Sequence, residues 1–186
     1  MDYRLAPANP YPDPVNDAFQ AYVWIITQAK KQLGMDLEQI IVAGDSAGGH
    51  LACSVSFLAF LRGYRKPDGI LMLYPVFSVG TKFYPSTLLS VDEELLSTTF
   101  LKFVLACFTR AGGNPDKNPI ASPITAPLAL FRRALPKAAL FASECDVLRD
   151  QSLHFLDKLL SSDPGDPDRA HLYFMKEYMH GWCNMN

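Results

Sequence analysis

Several protein classes are excluded by what this chain of 186 residues lacks. Its four cysteines, Cys53, Cys107, Cys145 and Cys183, lie far apart without a C-x-x-C pair, which argues against a zinc ribbon, a dithiol centre or a disulfide framework. Thiols in apolar stretches are expected to act as small core residues, in a reducing compartment. No stretch approaches the roughly 18 uninterrupted apolar residues of a membrane-spanning helix. Met1-Asp2-Tyr3-Arg4 lacks the apolar core of a signal peptide. Neither sign of charge dominates: 17 Lys plus Arg against 19 Asp plus Glu leave a net charge of −2, with no like-charge run to follow a phosphate backbone, so nucleic acid is not an expected partner. H-E-x-x-H and clustered Cys/His spacings are missing, so no metal is expected. No cofactor signature and no internal repeat stand out.

Hydrophobic residues make up 49% of the chain and charged ones 19%, enough apolar surface for one core, so residues 1–186 are read as one domain. Pro7, Pro10, Pro12 and Pro14 predict a loop over the first 14 residues. Phe19, Tyr22, Val23, Ile26, Ala29 and Leu33 recur at helical steps, with Asn16 or Asp17 as the cap and Gly34 as the stop. Gln39 to Ala43 is a short β-branched run without alternation, as a parallel strand buried on both faces would be. Ala47 to Leu61 turns helical, Gly69 to Phe77 repeats the strand signal, and a long stretch from Ser78 to Thr125 holds one good helix at Thr98 to Phe108. A third strand at Lys137 to Ser143, a helix at Asp150 to Leu160 and a fourth strand at His171 to Lys176 complete the pattern. Alternating strands and helices predict an α/β fold with a mainly parallel sheet flanked by helices.

The sharpest local feature is Gly44-Asp45-Ser46-Ala47-Gly48-Gly49, a G-x-S-x-G pentapeptide between a predicted strand and a predicted helix. A serine hydroxyl is a weak nucleophile and must be presented beside a base and beside amides that can hold an oxyanion. A tight strand-to-helix elbow does this, with glycines where side chains would clash. The helix that follows aims free amides at developing negative charge, and the Ala47 N–H is the expected donor. Small residues in a turn also have a plainer reading as tight packing, against which the strand-turn-helix context weighs. Trypsin-like proteases also carry Gly-Asp-Ser, but they place histidine and aspartate before the serine, and no histidine precedes Ser46.

An elbow serine needs a carboxylate and then a histidine later in the chain. Asp146 follows the third predicted strand and His180 the fourth, so both should emerge at the carboxyl edge of the sheet with Ser46. His180 would be the general base and Asp146 the group that orients it. Glu144 and Asp150 compete for that second role; Glu144 comes early, and Asp150 suits the cap of the following helix. His50, His154 and His171 are assigned to packing or to the surface.

With Asp2-Tyr3-Arg4-Leu5-Ala6-Pro7, Pro10-Tyr11-Pro12, Gly44 to Gly49, Cys145 to Asp150 and His180-Gly181-Trp182, the chain resembles the hormone-sensitive lipase family of α/β-hydrolases from Asp2 to Trp182. Pro67-Asp68-Gly69-Ile70, Tyr74-Pro75 and Ser122-Pro123 strengthen the likeness. The resemblance implies a carboxylic-ester hydrolase acting on lipid esters, acylglycerols or steryl esters, through an acyl-enzyme on Ser46. It implies a triad of Ser46, Asp146 and His180, an oxyanion amide at Ala47, a cytoplasmic location and association with lipid droplets. Residues 78–120 resemble the family's lid-like insertion; their aromatics serve equally well as the core of a helical excursion.

The family pattern starts earlier than this chain, with further strands and a His-Gly-Gly-Gly type loop that supplies other oxyanion amides, so the resemblance implies a partial α/β-hydrolase fold lacking its first strands. Each missing donor would cost roughly 3 to 4 kcal/mol of transition-state stabilisation. An open edge on the first strand here would favour a homodimer or a partner chain. The alternative function is therefore a catalytically inactive, truncated relative that acts as a binding or interaction protein.

Overall fold

The computed structural model describes residues 1–80, 82–89, 93, 95–110 and 112–184. Positions 81, 90–92, 94 and 111 of the expected 78–120 insertion lie outside the described residues. Four parallel strands, β1 (Ile41–Asp45), β2 (Gly69–Leu73), β3 (Lys137–Ser143) and β4 (Ala170–Met175), stand in the order β1-β2-β3-β4. Asp45 pairs with Leu73, Leu73 with Phe141, and Ser143 with Met175. Every strand therefore ends at one rim, and the loops beyond it carry Ser46, Tyr74, Asp146 and His180.

The first helix starts earlier than the prolines predict. α1 (Asp13–Trp24) has Pro14 in its first turn, where a missing N–H removes no helical bond. Asn16 and Asp17 are thus inside the helix; Asp17 accepts from the Arg4 guanidinium at 2.7 Å rather than capping. A π-helical turn at Ile25–Ala29 leads into α2 (Lys30–Leu33), which ends on Gly34 at φ 65°, a left-handed position where glycine carries no Cβ penalty.

β1 also differs from expectation, in place and in burial. Ile40 stands outside the ladder because its amide donates to the Asp68 carboxylate and its carbonyl accepts the Asp68 amide. The strand then runs on to Asp45. It is not buried on both faces: Ile41 is 66% exposed, since β1 is a sheet edge among the described residues. β2 stops at Leu73, short of the predicted Phe77, because Tyr74 takes φ 36° and Pro75 has no amide to continue the ladder.

α3 (Ala47–Leu61) is apolar all round, with eleven of its residues buried, and runs through the centre of the molecule. On one side it packs with Val15, Phe19 and Tyr22 of α1. On the other, its Cys53 and Phe57 join Met72, Leu140, α6 (Leu128–Ala134) and α7 (Arg149–Ser162) in the main core. There Phe77 stacks on Phe155 at 3.7 Å between ring centroids. Of the cysteines only Cys53 is buried; Cys145 and Cys183 are exposed, so the core role expected of these thiols holds for that one residue.

Between β2 and β3 lie α4 (Pro85–Leu89) and α5 (Thr98–Phe108). The Ser97 hydroxyl caps α5 by accepting from the Phe100 amide at 3.2 Å. Leu101 is buried against Val147 and Leu148, while Phe100 and Phe103 are exposed. The aromatics of this stretch are therefore split between core and surface. Among the described residues no helix is long and apolar enough to cross a membrane.

Candidate active site

Ser46 sits in the turn between β1 and α3 at φ 51° and ψ −115°, a conformation costly for any residue with a Cβ and held only where the surroundings over-determine it. Three backbone bonds do so. The Ser46 amide donates to Leu73 O at 2.9 Å, and the Ser46 carbonyl accepts from His50 and Val76.

The glycines around it have unequal reasons to be there. A Cβ on Gly44 would lie 2.3 Å from the Gly48 carbonyl carbon and oxygen, and one on Gly49 would lie 2.7 Å from Pro75 Cβ. At Gly48 the nearest neighbour would be Asp45 Oδ1 at 3.8 Å, ordinary contact. The elbow thus needs Gly44 for the turn and Gly49 for the approach of α3 to the β2 loop. The second glycine of the pentapeptide, expected to relieve a clash, relieves none. Asp45 points outward and accepts from the Asn184 side chain at 3.1 Å.

Ser46, His180 and Asp146, singled out in sequence, are brought together. Ser46 Oγ lies 2.8 Å from His180 Nε2, and His180 Nδ1 lies 2.9 Å from Asp146 Oδ2. Asp146 is almost wholly buried, and its other oxygen accepts the Leu148 amide at 2.8 Å. A carboxylate at Nδ1 assigns that nitrogen its proton and leaves the Nε2 lone pair facing the serine hydroxyl. Ala47 opens α3 beside Ser46, where the first amides of a helix have no intrahelical acceptor.

The competing residues are engaged elsewhere. Glu144 Oε2 accepts the Glu177 amide at 2.9 Å, and Asp150, inside the first turn of α7 rather than at its cap, accepts from the Ser86 amide and the Arg149 guanidinium. His50 is buried with its Nε2 2.9 Å from Ala121 O, and loss of water around it pushes its pKa down to about 4, against the weaker pull of that carbonyl. His154 bonds the Tyr84 hydroxyl. Among the described residues no group of three or more His, Cys, Asp or Glu is placed to hold a metal ion.

Two residues at the site escaped the sequence reading. Tyr74, fully buried, places its ring 4.9 Å from the His180 imidazole, and its hydroxyl meets Cys183 Sγ. Tyr74-Pro75 entered only as a likeness; the positive φ that turns the ring under His180 leaves no mark in composition or spacing. Glu93, 5% exposed, accepts the His180 amide on Oε2 at 3.0 Å. It sits in a run of three acidic residues to which the sequence reading assigns no role.

Beside the elbow, a cavity of about 270 Å³ is walled by Leu5, Pro7, Ala47, Phe100, Phe103 and Val104. A larger open groove of about 540 Å³ follows the free edge of β1 from Val42 to Ser46, with Tyr3, Ala21 and Ile25 opposite.

Comparison with known proteins adds relatives to this geometry. Residues 1–184 match the model of the Abhydrolase_3 family, described as an alpha/beta hydrolase fold. The chain is 39% identical to hormone-sensitive lipase of Mus musculus over 109 residues, which are 59% of this chain and 14% of that protein. It is 31% identical to Esterase LipI of Mycobacterium tuberculosis over 172 residues, 92% of this chain and 51% of the esterase. Among solved structures, carboxyl esterase 2 from Tuber melanosporum superposes with a TM-score of 0.88 at 26% identity, over 99% of this chain and 58% of that one. An esterase from Pyrobaculum calidifontis gives 0.87 at 30% identity, over 98% and 57%. The chain thus spans a little over half of these esterases and about a seventh of the lipase.

Proposed function

The chain belongs to the Abhydrolase_3 family of α/β hydrolases, and from that premise we propose that it is a serine carboxylic-ester hydrolase with Ser46 as nucleophile, His180 as general base and Asp146 as its orienting carboxylate. The observation that carries this reading is the continuous hydrogen-bonded relay from Ser46 Oγ through both nitrogens of His180 to Asp146 Oδ2.

In the proposed reaction Ser46 Oγ attacks the ester carbonyl as its proton passes to His180 Nε2. The Ala47 amide receives the oxyanion. The alkoxide leaves as an alcohol with the proton returned by His180, and Ser46 remains acylated. A water then gives its proton to His180 and attacks the acyl carbon, and the serine departs with that proton. Buried Asp146 stabilises the imidazolium in both halves.

For substrates we propose lipid esters such as acylglycerols or steryl esters, taken with the acyl chain in the apolar cavity beside Ala47. Its walls, Phe100, Phe103 and Val104, come from the 78–120 segment, to which we assign a lid-like role. Similarity to a lipase and to esterases supports a carboxylic ester as the substrate. A cytoplasmic protein that works at lipid droplets fits the same substrates.

The second reading, a binding protein, is favoured by the exposed Ile41 and the groove along β1, which suit pairing with a second copy or another polypeptide. Treatment with a fluorophosphonate and with p-nitrophenyl butyrate, beside Ser46→Ala, decides between them. Labelling and hydrolysis lost in the variant support the enzyme; equal labelling of both refutes it. Sedimentation of both as monomers at micromolar concentration would remove self-pairing through β1.

A further inference from the structure

We propose that Glu93, on the segment between α4 and α5, is a positioning residue that holds the main chain of His180; this rests on the reading of Ser46, His180 and Asp146 as a triad. A carboxylate withdrawn from water is costly unless both oxygens find donors. Glu93, 5% exposed, finds two: Oε2 accepts the His180 amide at 3.0 Å and Oε1 the Leu95 amide at 3.2 Å. Bonds from amides to an ionised acceptor are about twice as strong as neutral ones.

His180 needs such a partner. It lies beyond the end of β4, in a loop between Glu177 at φ 64° and Gly181 at φ 74°, so no ladder or helix accepts its N–H. The acceptor comes instead from 87 positions away. The residue is then fixed at three points: Nδ1 on Asp146, Nε2 on Ser46, and the main-chain N on Glu93. Without the third, the ring can keep Asp146 and drift from Ser46, and a displacement of about 1 Å costs on the order of 10²-fold in rate. The same bond makes Glu93 a brace for the base, a few positions before Phe100, Phe103 and Val104, which wall the apolar cavity.

The chemistry of the side chain sets a graded test. A carboxylate offers two acceptor oxygens, glutamine one and leucine none. Hydrogen exchange followed by mass spectrometry on residues 176–184 reads the His180 amide directly, whether or not the chain hydrolyses esters. Glu93→Leu is expected to speed that amide about tenfold or more, Glu93→Gln by less, with β3 and α3 unchanged. In parallel, fluorophosphonate labelling of Ser46 and kcat for p-nitrophenyl butyrate should fall about 100-fold in Glu93→Leu and less in Glu93→Gln, at unaltered KM. Unchanged His180 exchange in Glu93→Leu overturns the proposal. Faster exchange throughout β3 and β4 in both variants overturns it too, since Glu93 would then hold the fold at large. An unlabelled parent sinks the triad reading alone, and the exchange still decides whether Glu93 holds the loop.

Discussion

Ser46 is fixed by its near neighbours Gly44 and His50 and by the adjoining end of β2, whereas His180 is held by side chains 34, 87 and 134 positions away. The elbow is set by a hexapeptide, the strand before it and the helix after it, and is clamped by Leu73 at the end of the neighbouring strand and Val76 just past it. The histidine loop has no such grammar. Its shape depends on Asp146 and Glu144 from the loop after β3 and on Glu93 from the stretch between β2 and β3. The nucleophile thus depends on one turn and the neighbouring strand end, while the base depends on several distant side chains.

Asp146→Asn probes the non-local side most severely. An amide at that position can offer its NH₂ to Nδ1, which sets the wrong tautomer toward Ser46. Turnover of p-nitrophenyl butyrate should fall by about 10⁴-fold, equivalent to about 5 kcal/mol of transition-state stabilisation, with thermal stability nearly kept. A loss under tenfold would mean that His180 is oriented by something else.

The local side is broken by Gly44→Ala, whose methyl group meets Gly48 backbone at 2.3 Å. Overpacking against main chain that cannot yield should cost about 3 kcal/mol or more in chemical denaturation. Gly48→Ala has ordinary contacts only and should stay within about 0.5 kcal/mol. Equal effects at the two positions would refute the unequal roles assigned to these glycines.

Acid should weaken the elbow side through His50. His50, in the first turns of α3, is held neutral in the fold with a pKa of about 4, below the roughly 6.5 of an unfolded histidine. Between these values the unfolded chain binds more protons than the native one, so stability falls as pH drops from about 6.5 toward 4. The loss from this group is on the order of 3 kcal/mol. Urea midpoints at pH 7 and pH 4.5 should separate more in the parent than in His50→Gln, which keeps a donor for Ala121 O but does not titrate; equal separations would exclude His50 as the cause.

How much of this was legible in sequence follows the same division. α3, α5 and β3 fall where periodicity and apolar runs put them, because each is set by its own residues. Ser46, Asp146 and His180 could be named because each stands just past a strand that ends at the same rim. α1 starts earlier than its prolines suggest because proline is harmless in the first turn of a helix. β1 was shifted because Asp68, 28 positions on, takes the Ile40 amide out of the ladder. Glu93 stayed invisible because its meaning lies in an amide on the far side of the site. Tyr74 was noticed for its neighbour Pro75 rather than for the imidazole above it.

β2 carries no member of the triad, yet it sets the scale of the relay. Neighbouring parallel strands stand about 4.8 Å apart, so the strand between β1 and β3 opens a gap of roughly 10 Å between the ends that bear the serine and the carboxylate. Such a gap is too wide for a direct bond and well matched to one imidazole with a hydrogen bond at each side. Tyr74, at the tip of that intervening strand, sets its ring against the imidazole at an angle of 60°. Inserting another strand at this point, or removing the one present, would leave three correct side chains with no way to reach each other.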